Sequence, residues 1–418
     1  MGKKFETIAV RTRIKQTPEK ENSSPLFLTS GFTFDNAEHM RAAFTDEVEA
    51  NIYSRFSNPS VKEFEDKMAL LEGTDAAYAT ATGMAAVFAS FMAFLKAGDH
   101  VVSARAIFGS THTLITKYLP KWGIEHSYFP AEGWSASPRE SLRTGGDGSN
   151  LHGIEKLIRK NTKMIFVETP SNPGLEIFDL ESIGKIAKRH KLIYHVDNCF
   201  ATPYLQQPVK YGADIITHSA TKFIDGQGRV LGGAVCGKKE LIKEIYLFCR
   251  NTGPALSPFH AWILSKSLET LAVRMDRHCD NALKLAEHLS KHNEIGTVNY
   301  PFLASHPQYK TAKKQMKAGG GVITFTIKSS PKDESRKADG YERAKKFMDA
   351  LDMISLSANL GDTRTIATHP ASSTHSKLSE AEKKAAGITP GLIRVSVGLE
   401  HIDDIIDDIE IALKSSKK

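Results

Sequence analysis

Asp214-Ile-Ile-Thr-His-Ser-Ala-Thr-Lys222 is the stretch on which the reading of this chain turns. Residues 214–218 form a short run with β-branched apolar side chains and the length of a strand. Two hydroxyl side chains and a lysine follow at once. Comparable short apolar runs stand at 100–104, 164–168, 192–197 and 234–236. Residues 179–190 between them have the spacing of an amphipathic helix, with Asp179 near its cap. The alternation predicts an α/β fold, a mostly parallel sheet covered by helices. Ligands of such sheets bind beyond the carboxyl ends of the strands, which is where Ser219 to Lys222 fall.

Working outward, residues 1–60 are punctuated by Pro18, Pro25, Gly31 and Pro59 and have no clear periodicity. A long arm of this kind wraps something. Ser60-Val-Lys-Glu63 reads as a capping box, with Val61, Phe64, Met68 and Leu71 at helical spacing until Gly73. Gly83 opens a second helix over 84–96, apolar nearly all round and therefore buried. Residues 132–150, with Gly145-Gly-Asp-Gly148 and several serines, read as a surface insertion. After Pro258 a long helix over 259–289 leads into mixed α and β segments, including strands at 322–328 and 392–397. At 418 residues the chain exceeds what one core usually holds. The division is an arm (1–60), a sheet domain (61–257) and a smaller α+β domain (258–418).

Composition closes several alternatives. With 41% hydrophobic and 25% charged residues, the chain matches ordinary globular proteins. A net charge of +7, spread along the chain, reads as a solvated surface and not a nucleic-acid face. The most apolar run, 84–95, is too short to span a bilayer. No apolar stretch follows the first lysines, so no secretory signal is expected. Four cysteines without a CxxC pair fit a reducing, cytoplasmic setting and argue against disulfides or zinc. Gly232 to Lys239 imitates a phosphate loop but has Lys239 where a magnesium-binding hydroxyl belongs. Gly226-Gln-Gly228 lacks the third glycine of a dinucleotide loop. His369 and His375 have no acidic cluster beside them and read as structural.

Lys222, behind Ser219 and Thr221, suits a Schiff base next to a phosphate; by itself such a lysine is far more often a solvated loop residue. Asp197, ending its strand, can pair with a protonated pyridine nitrogen and turn that ring into an electron sink, or simply cap a helix. Asn172 can bond a ring hydroxyl, or serve a plain Asn-Pro turn. The free N–H groups of Gly83 and Met84 can hold a phosphate, or merely start a helix. Taken together, the four strand ends and helix starts point to pyridoxal 5′-phosphate.

The same pieces carry a family resemblance. Asn51-Ile-Tyr-Ser-Arg-Phe-Ser-Asn-Pro59, Ala81-Thr-Gly-Met84, Glu168-Thr-Pro-Ser-Asn-Pro173, Val196-Asp-Asn198, Ser219-Ala-Thr-Lys222 and Leu392-Ile-Arg-Val-Ser-Val-Gly-Leu-Glu400 occur in this order. From about Phe5 to the C-terminal helix, 132–150 excepted, the chain resembles the Cys/Met-metabolism branch of fold-type I pyridoxal-phosphate enzymes. The resemblance implies Lys222 as the Schiff-base lysine and Asp197 as the pyridine partner. It implies Gly83, Met84, Ser219 and Thr221 at the phosphate, with Tyr53 and Arg55 reaching the phosphate of a neighbouring subunit. Arg394 would clamp the substrate α-carboxylate with help from Asn359. Shared sites of this kind imply a homo-oligomer, a dimer of dimers.

One position departs from the pattern. Many relatives stack a tyrosine on the cofactor; here the matching residue is Phe108, in Ala106-Ile-Phe-Gly-Ser110. Stacking survives without the phenol, so proton transfer falls to Lys222, with Tyr53 as helper. Phe108 and Ile224-Asp-Gly-Gln-Gly-Arg229 resemble the O-succinylhomoserine sulfhydrylase branch. The implied reaction makes homocysteine from an O-acylated homoserine and sulfide, in methionine biosynthesis. Cystathionine γ-synthase, O-acetylhomoserine sulfhydrylase and γ-lyase activities are the rivals within the family. A catalytically silent cofactor-binding protein is the rival outside it.

Overall fold

The computed structural model describes residues 2–129, 151–328, 340–377, 379–380, 383 and 387–417. The insertion read at 132–150 lies outside them. Two sheets organise the chain. The first contains β1 (Ala76–Thr80), β2 (His100–Ala104), β3 (Glu125–Phe129), β4 (Thr162–Glu168), β5 (Ile193–Asp197), β6 (Ile215–Ser219) and β7 (Gly233–Gly237). Its spatial order is β1-β7-β6-β5-β4-β2-β3. The pairs among β2 to β6 are parallel, and β7 is antiparallel to both β1 and β6. Helices on the faces bury the strands on both sides, which is why β2 and β4 to β6 read as continuous apolar runs.

The second sheet has β8 (Ile295–Asn299), β9 (Val322–Ile327), β10 (Ser355–Leu356), β11 (Ile366–Thr368) and β12 (Leu392–Ser396), ordered β10-β11-β12-β9-β8. Its own core gathers Phe325, Phe347, Ile393, Val395, Ile405 and Ile409 under the helices Tyr341–Asp349 and Ile402–Ser415. The core of the first sheet continues past residue 258 through Leu264, Leu268, Leu271 and Met275, because the helix Pro258–Leu268 packs on the helix Pro59–Glu72.

Several elements differ from the sequence expectation. The helix after the arm begins at Pro59, and Asn58 is its cap, accepting from Ser60 N at 2.9 Å. The capping box does not form: the Ser60 hydroxyl accepts from Phe27 N, and Glu63 pairs with Lys67. Proline at the first helical position explains the shift, since it lacks an N–H and starts a helix readily. The single long helix is two, Pro258–Leu268 and Leu271–Ser290. Thr270 separates them by bonding Ser267 O and Arg274 Nε through its hydroxyl, a local competitor to helical bonds. The arm contains the helices Phe5–Arg11 and Ala37–Phe44, each too short to show a period. Strands β1, β3, β8, β10 and β11 were not expected. The Ala-Ala-Tyr-Ala-Thr of β1 has little β-branched character, and pairing with β7 makes it a strand.

Candidate active site

The strand ends β4, β5 and β6 lie side by side and set the geometry. Beyond β6 the chain turns back, Lys222 N bonding Ser219 O at 3.2 Å. The buried guanidinium of Arg274 secures that turn, donating to Phe223 O at 2.6 Å, Ile224 O at 3.2 Å and Ser267 O at 2.9 Å. From the second sheet, the loop 359–361 lies against the Lys222 backbone. Gly361 has φ +77°, and a Cβ there would meet Phe223 N at 2.5 Å and the Lys222 carbonyl carbon at 2.8 Å. That contact brings the two sheets' functional residues together.

Lys222 Nζ donates to Asn359 Oδ1 at 2.5 Å. The Asn359 and Ala358 carbonyls accept from Arg394 Nη2 at 3.0 and 3.2 Å, and Asn172 Oδ1 accepts from Arg394 Nη1 at 3.0 Å. Lys222, Asn359, Arg394 and Asn172 therefore form one connected group. Burial lowers the Lys222 amine from its usual range, assisted by the Arg394 charge. Arg394 is 3% exposed, bonds amide oxygens, and leaves its Nε without a partner among the described residues. Burial pulls it to about 10. A buried guanidinium without an anion is costly, so the arrangement is ready to receive one.

Asp197 and Glu168 are register partners at the ends of β5 and β4. Burial raises both carboxyls, and the charge of Asp197 raises Glu168 further. Asp197 stands at about 6, held from rising further by the Cys199 N–H and by His218. Glu168 accepts the Phe108 backbone N–H at 2.6 Å and so locates that ring's backbone. Two crowded acids at adjacent strand ends favour a cation between or beside them.

The third component is a cradle at a helix start. A Cβ on Gly83 would lie 2.6 Å from Ser219 Cβ and 2.8 Å from its Cα. Only glycine lets the helix Gly83–Met92 abut β6. Thr82 caps this helix by accepting from Ala85 N at 3.1 Å, and the N–H groups of Gly83 and Met84 have no helical acceptor by position. The Thr221 hydroxyl is engaged with Gly232, accepting its N–H at 3.1 Å and facing its carbonyl at 3.3 Å. Phe108, 38% exposed, precedes the short helix Gly109–Thr113.

Tyr53 and Arg55 do not join this group. Arg55 Nη1 donates to the Arg250 carbonyl, and its guanidinium lies 4.9 Å from the Phe56 ring centroid and 5.5 Å from that of Tyr53. Tyr53 is exposed. Glu168 and Arg274 were missed as functional residues by sequence reasoning. Glu168 ends a strand as Asp197 does, which was the available signal; Arg274 had none, being one more arginine on a helix. His369 satisfies both ring nitrogens with Ser372 and Pro390. A Cβ on Gly109 would lie 3.7 Å from His375 Nε2, and His375 is held near 4 by burial and by the Arg394 and His112 charges.

A mostly parallel sheet with a half-buried lysine just beyond a strand end, beside a second smaller sheet, is the architecture of fold-type I pyridoxal-phosphate enzymes. The family model of the Cys/Met metabolism PLP-dependent enzymes matches residues 6–414, and the chain belongs to that family. The O-succinylhomoserine sulfhydrylase of Pseudomonas aeruginosa is 44% identical over 408 residues, covering 98% of this chain and 94% of that protein. The L-methionine gamma-lyase of Fusobacterium nucleatum subsp. polymorphum is 42% identical over 393 residues, 93% of each chain. Among solved structures, the O-acetylhomoserine (thiol)-lyase of Campylobacter jejuni superposes with a TM-score of 0.88 at 35% identity, covering 98% of this chain and 100% of that one. That structure carries the pyridoxyl phosphate on a lysine. The cofactor of this enzyme is pyridoxal 5′-phosphate. The residues fit it: a half-buried lysine, a helix-start cradle opened by Gly83, and the paired carboxyls of Asp197 and Glu168 at adjacent strand ends.

Proposed function

We propose that this enzyme exchanges the γ-substituent of an O-acylated homoserine, with O-succinylhomoserine favoured, for sulfide, yielding homocysteine for methionine biosynthesis. The observation that carries the reading is the bond chain from Lys222 through Asn359 to Arg394. It couples a proton carrier to a carboxylate receptor. When bound, the cofactor supplies the electron sink for bond breaking next to the amino group.

The residues divide the remaining work. Lys222 carries the cofactor and afterwards moves protons between Cα and Cβ of the substrate; its lowered basicity keeps a neutral amine accessible. Arg394 binds the α-carboxylate through two parallel N–H bonds, and Asn359 and Asn172 hold its plane. That fixes the Cα–H bond for removal. Asp197 pairs with the ring nitrogen, Asn172 reaches the ring hydroxyl, and Phe108 covers the ring. Gly83, Met84, Ser219 and Thr221 hold the phosphate. Tyr53 and Arg55 complete the site of a neighbouring subunit, Tyr53 also assisting proton transfer, in a dimer of dimers. The arm (1–60), sheet domain (61–257) and C-terminal domain (258–418) correspond to these three contributions. Four free thiols fit a cytoplasmic enzyme.

A γ-lyase activity is the second reading, favoured by the 42% identity to the gamma-lyase of Fusobacterium nucleatum. Phe108 weighs against it, because no phenol stands there to protonate a leaving thiol. Purified enzyme is to be assayed with O-succinyl- and O-acetyl-homoserine, each with sulfide or cysteine. Homocysteine from O-succinylhomoserine and sulfide is the expected main product. Rapid 2-oxobutanoate release without a thiol would overturn the sulfhydrylase reading.

A further inference from the structure

Behind the strand ends lies a fully buried polar cluster that the reaction does not use directly. Glu72, the last residue of the helix Pro59–Glu72, is 0% exposed, as is Asn198, and His218 is 1% exposed. One carboxylate oxygen, Glu72 Oε1, accepts from His218 Nε2 at 2.5 Å and from Asn198 Nδ2 at 2.8 Å. Asn198 follows Asp197, and His218 precedes Ser219. Gln206 extends the cluster, its Nε2 donating to Asn198 Oδ1 and to Thr169 O, both at 2.9 Å. Thr169 follows Glu168. Three adjacent strand ends are thus tied together one residue from each of their site side chains. Among the described residues, Glu72 Oε2 and His218 Nδ1 have no hydrogen-bond partner. An acid and an imidazole left partly unsatisfied in a core cost stability that an apolar pair would not.

We propose that Glu72, with His218, Asn198 and Gln206, is a buried strap that positions the cofactor by fixing the spacing of Asp197 at its ring end and Ser219 at its phosphate end. These are positioning residues, acting through the strand ends they hold. The inference rests on the assignment of Asp197 and Ser219 to the cofactor. The strap also has an electrical side: the His218 imidazole faces Asp197 and favours its ionised form. Glu168 from β4 and Cys199 from the loop after β5 are the other titratable groups acting on or beside Asp197, Lys222 faces Cys199, and Cys236 of β7 faces Glu72 and Glu65.

The test uses the full chain, stripped of cofactor and titrated with pyridoxal phosphate, following protein fluorescence and the visible circular dichroism of the bound cofactor. Glu72→Leu removes the strap and is expected to weaken cofactor binding about tenfold or more, the loss of two charge-assisted bonds. Glu72→Gln and His218→Gln keep approximate size and hydrogen bonding but remove the ionisable group, and weaken binding less. In the parent protein, affinity falls as pH drops through about 6, where Asp197 takes up a proton. His218→Gln moves that midpoint upward, because the imidazole that favours the Asp197 carboxylate is gone; a purely structural change would not move it. Folded variants with the parent affinity, dichroism and midpoint would overturn the strap. If Glu72→Leu fails to fold, the two glutamine variants decide. If the parent protein binds no cofactor at Lys222, the site assignment itself falls; normal parent binding with unchanged variants rejects the strap alone.

Discussion

Arg394 and Arg55 are both assigned to anions, and the chain treats them in opposite ways. Arg394 is buried on β12, its plane fixed by Asn172, Asn359 and Ala358, with no anion supplied. Arg55 lies on the arm between aromatic rings and the Arg250 carbonyl. The first is a receptor built within one chain, at the cost of burying an unpaired charge. The second has a local resting place and, in the proposed shared site, would gain its anion from a neighbouring chain. The carboxylate site should therefore work in any folded protomer, while the phosphate site should depend on assembly.

The comparison breaks most sharply at Arg394. Arg394→Leu is expected to lower kcat/KM by about three orders of magnitude, two charge-assisted bonds at about 2 kcal/mol each. Arg394→Lys should recover little, since a point charge does not reproduce the fork. Steady-state kinetics check both, and loss confined to cofactor affinity would refute the carboxylate role. Arg55→Ala should instead weaken cofactor binding, by roughly tenfold for one charge-assisted bond, and should be complemented. Hybrids of Arg55→Ala and Lys222→Ala subunits are expected to recover part of the activity; none after proven subunit exchange would place Arg55 outside a shared site.

Asp197 sharpens the contrast between binding and stability. Its carboxyl stands near 6 in the cofactor-free protein against an ordinary 3.8. The folded state therefore holds the proton more tightly than the unfolded state, and cofactor-free stability falls as pH rises from about 4 to about 6. Asp197→Asn should remove this fall and stabilise the cofactor-free protein above pH 6 by on the order of 3 kcal/mol, while abolishing activity. Denaturant titrations at pH 5 and 7.5 check the sign. The smallest effect is expected at Phe108: Phe108→Tyr restores a phenol over the ring without removing stacking, and should change the rate of homocysteine formation by less than about tenfold.

Legibility in the sequence followed the physics of each element. Strands buried on both faces, β4 to β6, read as apolar runs, and their terminal residues Asp197 and Ser219 to Lys222 stood out as polar groups where a sheet opens. Gly83 was legible because a glycine at a helix start has few other uses. Strand β1 was hidden because its alanines acquire strand structure from pairing with β7. Arg274 and Glu72 were hidden because an ion on a helix reads as solvated until packing buries it. The bond between Asn172 and Arg394 joins the two sheets, and no local pattern encodes a contact of that kind. The arm's proline spacing gave no hint of the cap at Asn58, which depends on the Asn-Pro step.

The central claim is that Lys222 carries the cofactor. Reduction of the purified enzyme with borohydride, followed by proteolysis and mass analysis, tests it directly. The account predicts a single pyridoxyl phosphate adduct on the peptide containing Lys222, absent in Lys222→Ala. An adduct on a different lysine, or none in an enzyme that turns over its substrate, would contradict it.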